Sequence, residues 1–193
     1  MKIGKTIISL LLRIVVAILV GTLLLTLVYC IPTENIERHV RMSALETIQA
    51  EGLYPEITHI ATSYLDNWTD SIMLAEAAHP NGNSPLYDAM QVERLVADEF
   101  PDQSLVKWAQ TGEYDYETAY PQYWHGFLLW LKPLLLVLDF QQIRLLNAVI
   151  QTGLILVVSL LLWKKDRRQY ILPWLISVAM LMPLALAKCM QFS

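Results

Sequence analysis

Long apolar runs at both ends of this chain limit its fold more than any other feature. Residues 6–30 form one run of 25, and residues 145–163 and 170–187 form two more of 19 and 18. Twenty-five helical residues rise about 37 Å, enough to cross a bilayer core of about 30 Å with some tilt. In lipid the backbone must satisfy its own hydrogen bonds, so such runs read as helices. Arg13 lies near the start of the first run, where its stem can carry the charge to the interface. A cleaved signal peptide fits poorly, because the run is long and no small-x-small site follows it. Tyr29 before Cys30 also argues against a lipoprotein signal.

The third C-terminal stretch, 124–140, is different. It is interrupted by His125, Lys132 and Pro133. The positive-inside rule decides how it lies. Lys2 and Lys5 put the N-terminus in the cytoplasm, and Lys164-Lys165-Asp166-Arg167-Arg168 should face the same side. That holds if 124–140 stays on the outer face as an interfacial or re-entrant helix, and fails if it crosses. The expected fold class is therefore an all-α membrane protein. It has about three transmembrane helices, an outer interfacial helix and a mostly helical extracytoplasmic loop domain. Four crossings is the alternative. The boundaries are 1–30 for the first transmembrane helix, 31–123 for the loop domain, 124–140 for the interfacial helix and 141–193 for two further crossings joined by a basic cytoplasmic loop.

The loop domain carries 16 of the 18 carboxylates and four Lys/Arg, a formal charge of −12 against +8 for the remainder. A segment that long is more than a connector. An acidic outer face and a basic membrane part exclude a nucleic-acid binder, which needs a positive face for phosphates. The two cysteines, Cys30 and Cys189, support neither a disulfide framework nor a zinc site.

Short helices are expected in the loop. Thr33 begins one as a cap, Ile36, Val40, Ala44 and Ile48 give it an apolar stripe, and Gly52 ends it. A second should cover 63–78, before the turn at His79-Pro80-Asn81-Gly82-Asn83, and a third 85–99. Pro101 and Gly112 punctuate the rest, and strand patterns are short.

Two patches carry candidate chemistry. On a helix, Asp66 and Asp70 share one face at i, i+4, with Trp68 as a flat platform for a sugar ring. Paired carboxylates serve as base and orienter, or share a divalent cation. A solvated helix face with an aspartate cap is the plainer account. The second patch is Tyr120-Pro121-Gln122-Tyr123-Trp124-His125-Gly126. An interfacial aromatic belt explains its rings but not His125. His39, His59 and His79 lack ligand spacing and read as surface residues. No cofactor follows from the sequence, and a divalent cation at the paired carboxylates is the one the pattern leaves open.

The order of parts is one crossing, a large outer loop with an acidic site, an aromatic motif, an interfacial helix and an Arg-led crossing ending in a basic cluster. This resembles the N-terminal portion of the GT-C superfamily of integral-membrane glycosyltransferases, which includes the protein O-mannosyltransferases and aminoarabinose transferases. The resemblance implies transfer of a sugar from a polyprenyl-phosphate carrier, a membrane lipid, to an acceptor on the outer face. It implies Asp66 or Asp70 as the catalytic carboxylate. It assigns His125, Lys132 and Arg144 to the carrier phosphate, with Trp68 and Tyr123 beside the substrate. Members carry more crossings, and this chain stops at residue 193 directly after an apolar stretch, so the resemblance implies part of such an enzyme. A non-catalytic membrane protein with an acidic outer binding domain is the competing reading. The transferase requires a loop carboxylate within about 10 Å of His125 or Arg144, and its competitor leaves both aspartates in solvent.

Overall fold

The computed structural model describes residues 2–59, 63–82, 84–121 and 125–190. About 70% of the described residues are helical. Helix α1 spans Lys2–Val28, and its apolar side chains stand free along most of its length, Ile8 and Leu19 being more than 60% exposed. Cover begins in its last two turns, where Leu25 and Val28 are buried, and continues at Tyr29 just beyond it.

The stripe at Ile36, Val40, Ala44 and Ile48 is fully buried, as its spacing predicts. Helix α2, Glu34–Ser43, carries its first half and continues through a π-helical turn, Ala44–Ile48, into α3, Gln49–Glu51. A stripe of period four drifts about 40° per step around a 3.6-residue helix, and one wider turn takes up that drift. Thr33 occupies the N-cap without a side-chain cap bond. Gly52 ends the element at φ 72°, ψ −166°, a conformation open only to glycine.

Helix α4, Asn67–Ala78, is the spine of the domain, with nine of its 12 residues buried. The expected helix from 63 starts four residues late, because Asp66 takes the N-cap. Its carboxylate accepts from the Thr69 amide and hydroxyl at 3.1 and 2.8 Å. Asp66 and Asp70 therefore do not share a helix face.

The expected helix 85–99 is shorter too. Helix α5, Pro85–Gln91, ends where Val92 turns left-handed at φ 47°, and strand β1, Glu93–Val96, follows. Strand β2, Tyr116–Ala119, pairs with it antiparallel, Glu93 opposite Ala119. Between them lies α6, Pro101–Thr111, closed by Gly112 at φ 75°. Arg41 donates to the Trp108 and Ala109 carbonyls, both at 3.0 Å, and so holds the C-terminal end of α6.

Within the interrupted stretch 124–140, the described residues 125–140 hold α7, Leu128–Leu135, and the start of the next helix. Eight residues rise about 12 Å, too little to cross a bilayer. Leu128, Leu131, Lys132 and Leu135 are buried, so α7 belongs to the core of the domain more than to an interface. Helix α8, Phe140–Lys164, opens with a full capping box from Asp139 and Gln142. Phe140, Ile143 and Arg144 are buried, and from Leu145 onward no residue of the helix is buried, Leu145, Val149, Leu154 and Leu160 standing exposed.

Two helices, Lys5–Val28 and Phe140–Lys164, are thus long and apolar enough to cross a membrane. The third apolar run is broken. Helix α9, Ile171–Met180, stops before Met182, which is left-handed at φ 50°, and α10, Pro183–Lys188, follows. The residue before a proline is pushed out of the α region, which accounts for the break. Helix α10 packs on α8.

Candidate functional site

The two ends of α4 carry two buried polar centres. At the N-terminal end, α3, α4 and α8 converge on Arg144. Its Nη1 donates to both Glu51 oxygens at 2.9 and 2.8 Å, and Nη2 donates to Asn67 Oδ1 at 2.8 Å. The guanidinium stacks 3.9 Å from the Phe140 ring centre. Asn67 Nδ2 in turn donates to the Gly52 carbonyl at 2.7 Å, linking the α3 stop to this centre.

Asp70 completes the centre. Its Oδ2 lies 3.7 Å from Arg144 Nη2, and its Oδ1 accepts from the Met190 amide at 3.0 Å. Both side chains are almost wholly buried. Burial pushes the Asp70 carboxyl up to about 7, because desolvation outweighs Arg144 and the Met190 amide, which favour the charged form. Arg144 is already committed to Glu51 and Asn67, so it only partly repays the ionised carboxylate.

At the other end, Glu76 is 1% exposed, and its Oε1 stands 3.6 Å from His125 Nε2. The His125 ring is held edge-on by Tyr120 and Phe127. Nearby, Lys132 is fully buried with Nζ 4.2 Å above the Tyr29 ring. It has no hydrogen-bond partner among the described residues, and burial pulls its pKa down to about 8.

His125 lines a cavity of about 250 Å³. The cavity walls are Ile18, Thr22 and Leu25 of α1, with Ala89, Met90, Val92 and Pro121. One side is therefore the apolar helix itself, and His125, in contact with Glu76, is the titratable group in the lining.

The predicted site residues separate accordingly. Asp70 and Arg144 come together in a closed cluster. Asp66 is spent as a helix cap. Trp68 packs edge-on against Phe100, centroids 6.1 Å apart, and offers no open face on that side. His125 belongs to the second centre, Lys132 is buried over the Tyr29 ring, and Tyr123 lies outside the described residues. Two histidines read as surface are partly or wholly covered: His39 Nδ1 is 2.6 Å from the Leu135 carbonyl, and His79 is 7% exposed. Glu76 and Glu51 were missed. The signal for Glu76 was a lone carboxylate inside Leu74-Ala75-Glu76-Ala77-Ala78, since charge in an apolar run must be buried or wasted.

No protein-family model matches the chain, and neither does any curated protein or solved structure.

Proposed function

We propose that the chain is an integral-membrane protein that seats a polyprenyl-phosphate-type lipid against α1, as a membrane glycosyltransferase or part of one. The observation that carries this reading is the cavity walled by Ile18, Thr22 and Leu25 and ending at His125. A cavity of about 250 Å³ suits a headgroup or the first segment of a chain rather than a whole lipid. Apolar walls continuous with a bilayer-length helix suit an isoprenoid. His125 accepts or donates a proton at the phosphate end, and Glu76 orients it. Lys132, its pKa lowered by burial to about 8, is the candidate cation for the phosphate.

In this reading α1, α8 and the broken α9–α10 cross the bilayer, with Lys2, Lys5 and the cluster at 164–168 in the cytoplasm. The path of the chain supports the third crossing. Residue 170 follows the far end of α8, yet the Met190 amide reaches Asp70 beside the near end. The expected catalytic role of Asp70 requires the Arg144 centre to open. Asp70, 3.7 Å from Arg144, meets the transferase's distance requirement and is not in solvent as the competitor requires, while the closure of the centre is the one feature that favours a second reading, a membrane protein that binds the lipid without transfer chemistry.

Native mass spectrometry in nanodiscs separates these readings. The protein should retain a polyprenyl phosphate, and Thr22→Phe and His125→Ala should lose it. Sugar transfer from the loaded lipid, abolished by Glu76→Gln, marks the enzyme. Retention without transfer marks the binding protein. No retention by the wild type overturns both.

A further inference from the structure

We propose that His79, Glu93 and Glu117 form a binding site for a divalent transition-metal ion, with Zn2+ as its best-fitting occupant. Their ligand atoms all lie within 4.8 Å of one another. Each comes from a different element: His79 from the end of α4, Glu93 from β1 and Glu117 from β2. The register explains the pairing of the glutamates. Glu93 sits opposite Ala119 and Glu117 opposite Leu95, so the two are diagonal neighbours on one face of the ribbon. Like charges this close repel, and a cation between them relieves the repulsion.

His79 supplies the independent observation. It is more than nine-tenths buried, and its Nε2 has no hydrogen-bond partner among the described residues. A buried imidazole nitrogen without a hydrogen bond carries a desolvation cost that a metal bond removes. That nitrogen points at the carboxylates, 3.7 Å from Glu117 Oε2. The other Glu117 oxygen, Oε1, accepts from the Tyr114 hydroxyl at 3.0 Å, which fixes the carboxylate with Oε2 inward.

The donor set selects the metal. One imidazole and two carboxylates suit Zn2+ and its neighbours, whereas Mg2+ and Ca2+ prefer oxygen alone. Tetrahedral Zn2+ places its ligands about 3.3 Å apart. His79 and Glu117 are already near that spacing, and a Glu93 oxygen lies within 4.8 Å of both. Three protein ligands and a half-exposed rim at Glu117 leave a position for water. Bound there, the ion pins the β1–β2 ribbon to the C-terminal end of α4. This site stands apart from the lipid reading and does not depend on it.

The test is calorimetric titration of the untagged full chain in nanodiscs, stripped with chelator, using Zn2+ alone. One equivalent should bind. His79→Ala and Glu117→Gln should each weaken binding roughly tenfold or more. His59→Ala, at an exposed histidine, should bind as the wild type does. Zn2+ should also raise the melting temperature of the wild type and not of His79→Ala. If His79→Ala fails to fold, the double variant Glu93→Gln/Glu117→Gln at the more exposed positions takes its place. Wild-type affinity in the ligand variants, no binding by the wild type, or equal competition by Mg2+ would each overturn the site.

Discussion

Asp70 and Arg144 stand 3.7 Å apart and almost free of solvent, yet the Asp70 carboxyl is pushed up to about 7. An arginine at that distance ordinarily holds a carboxylate well down. Here the guanidinium is forked onto Glu51 and bonded to Asn67 first, and Asp70 receives what remains. The pair therefore joins α4 to α8 through a chain of partners whose weakest member is the ion pair itself.

The pH dependence follows from the sign of that shift. A carboxyl raised on folding contributes stability below its unfolded value, near 3.8, and loses it as pH rises through about 7. Stability should fall across that window. Asp70→Asn should flatten the fall, because an amide does not ionise. Denaturation midpoints from pH 4 to 8 in detergent check this, and an unchanged slope in Asp70→Asn would assign the dependence to another group.

Removing Arg144 should cost far more. Arg144→Leu leaves Asp70, Asn67 and part of Glu51 without their donor, and breaking such a buried network costs about 3–5 kcal/mol. Arg144→Lys should fall between, since an ammonium cannot reproduce the two-pronged contact with Glu51. Glu51→Gln should be mildest, its carboxylate being partly solvated. Chemical denaturation of the three variants ranks them, and an Arg144→Leu cost near 1 kcal/mol would show that the network is dispensable.

How much of this was legible depends on the length of each signal. The stripe from Ile36 to Ile48 repeats four times and was readable. The two long apolar helices were readable for the same reason. Asp66–Asp70 misled because the shared face required a helix beginning near 63, whereas Asp66 itself terminates the helix by capping it. The β1–β2 ribbon was unreadable: each strand has four residues, and the paired residues lie 20 to 26 positions apart. Glu76 was one carboxylate among 16 in the loop domain, and only its apolar neighbours set it apart. Glu51 and Arg144 are 93 positions apart, so no local pattern connects them.

Gly52 offers a test of backbone strain without steric complication. A Cβ there would meet nothing within 4 Å, but its φ of 72° with ψ −166° suits glycine alone. Gly52→Ala should destabilise by about 1–3 kcal/mol. Because its carbonyl accepts from Asn67, the change should also loosen the Arg144 centre. Gly153→Ala, mid-helix with equal space around it, should be neutral or better. Matching melting temperatures for the two variants would refute the strain argument.

Topology is checked by labelling. In a background lacking Cys30 and Cys189, a cysteine replacing Asp166 should react only from the cytoplasm. One replacing exposed Glu46 should react only from outside. External labelling at 166 would remove the three-crossing arrangement, and with it the placement of the Lys132 centre on the outer side.

Lys132 sets stability against function. Burial lowers its pKa from 10.5 to about 8, a shift worth about 3 kcal/mol at neutral pH. The Tyr29 ring returns about 2 kcal/mol through its π face. Lys132→Met keeps the stem volume and removes the charge, so it should gain about 1 kcal/mol at pH 7. The sign of the pH effect is opposite to that of Asp70. Between about 8 and 10.5 the unfolded chain binds more protons, so wild-type stability should rise with pH there, and Lys132→Met should lose the rise. A stabilised variant that also releases polyprenyl phosphate would mark Lys132 as an ammonium retained for its ligand at a cost to the fold. A loss of stability above about 2 kcal/mol would instead show that the ammonium–ring contact outweighs desolvation, and the residue would then be a structural element of the α1–α7 junction.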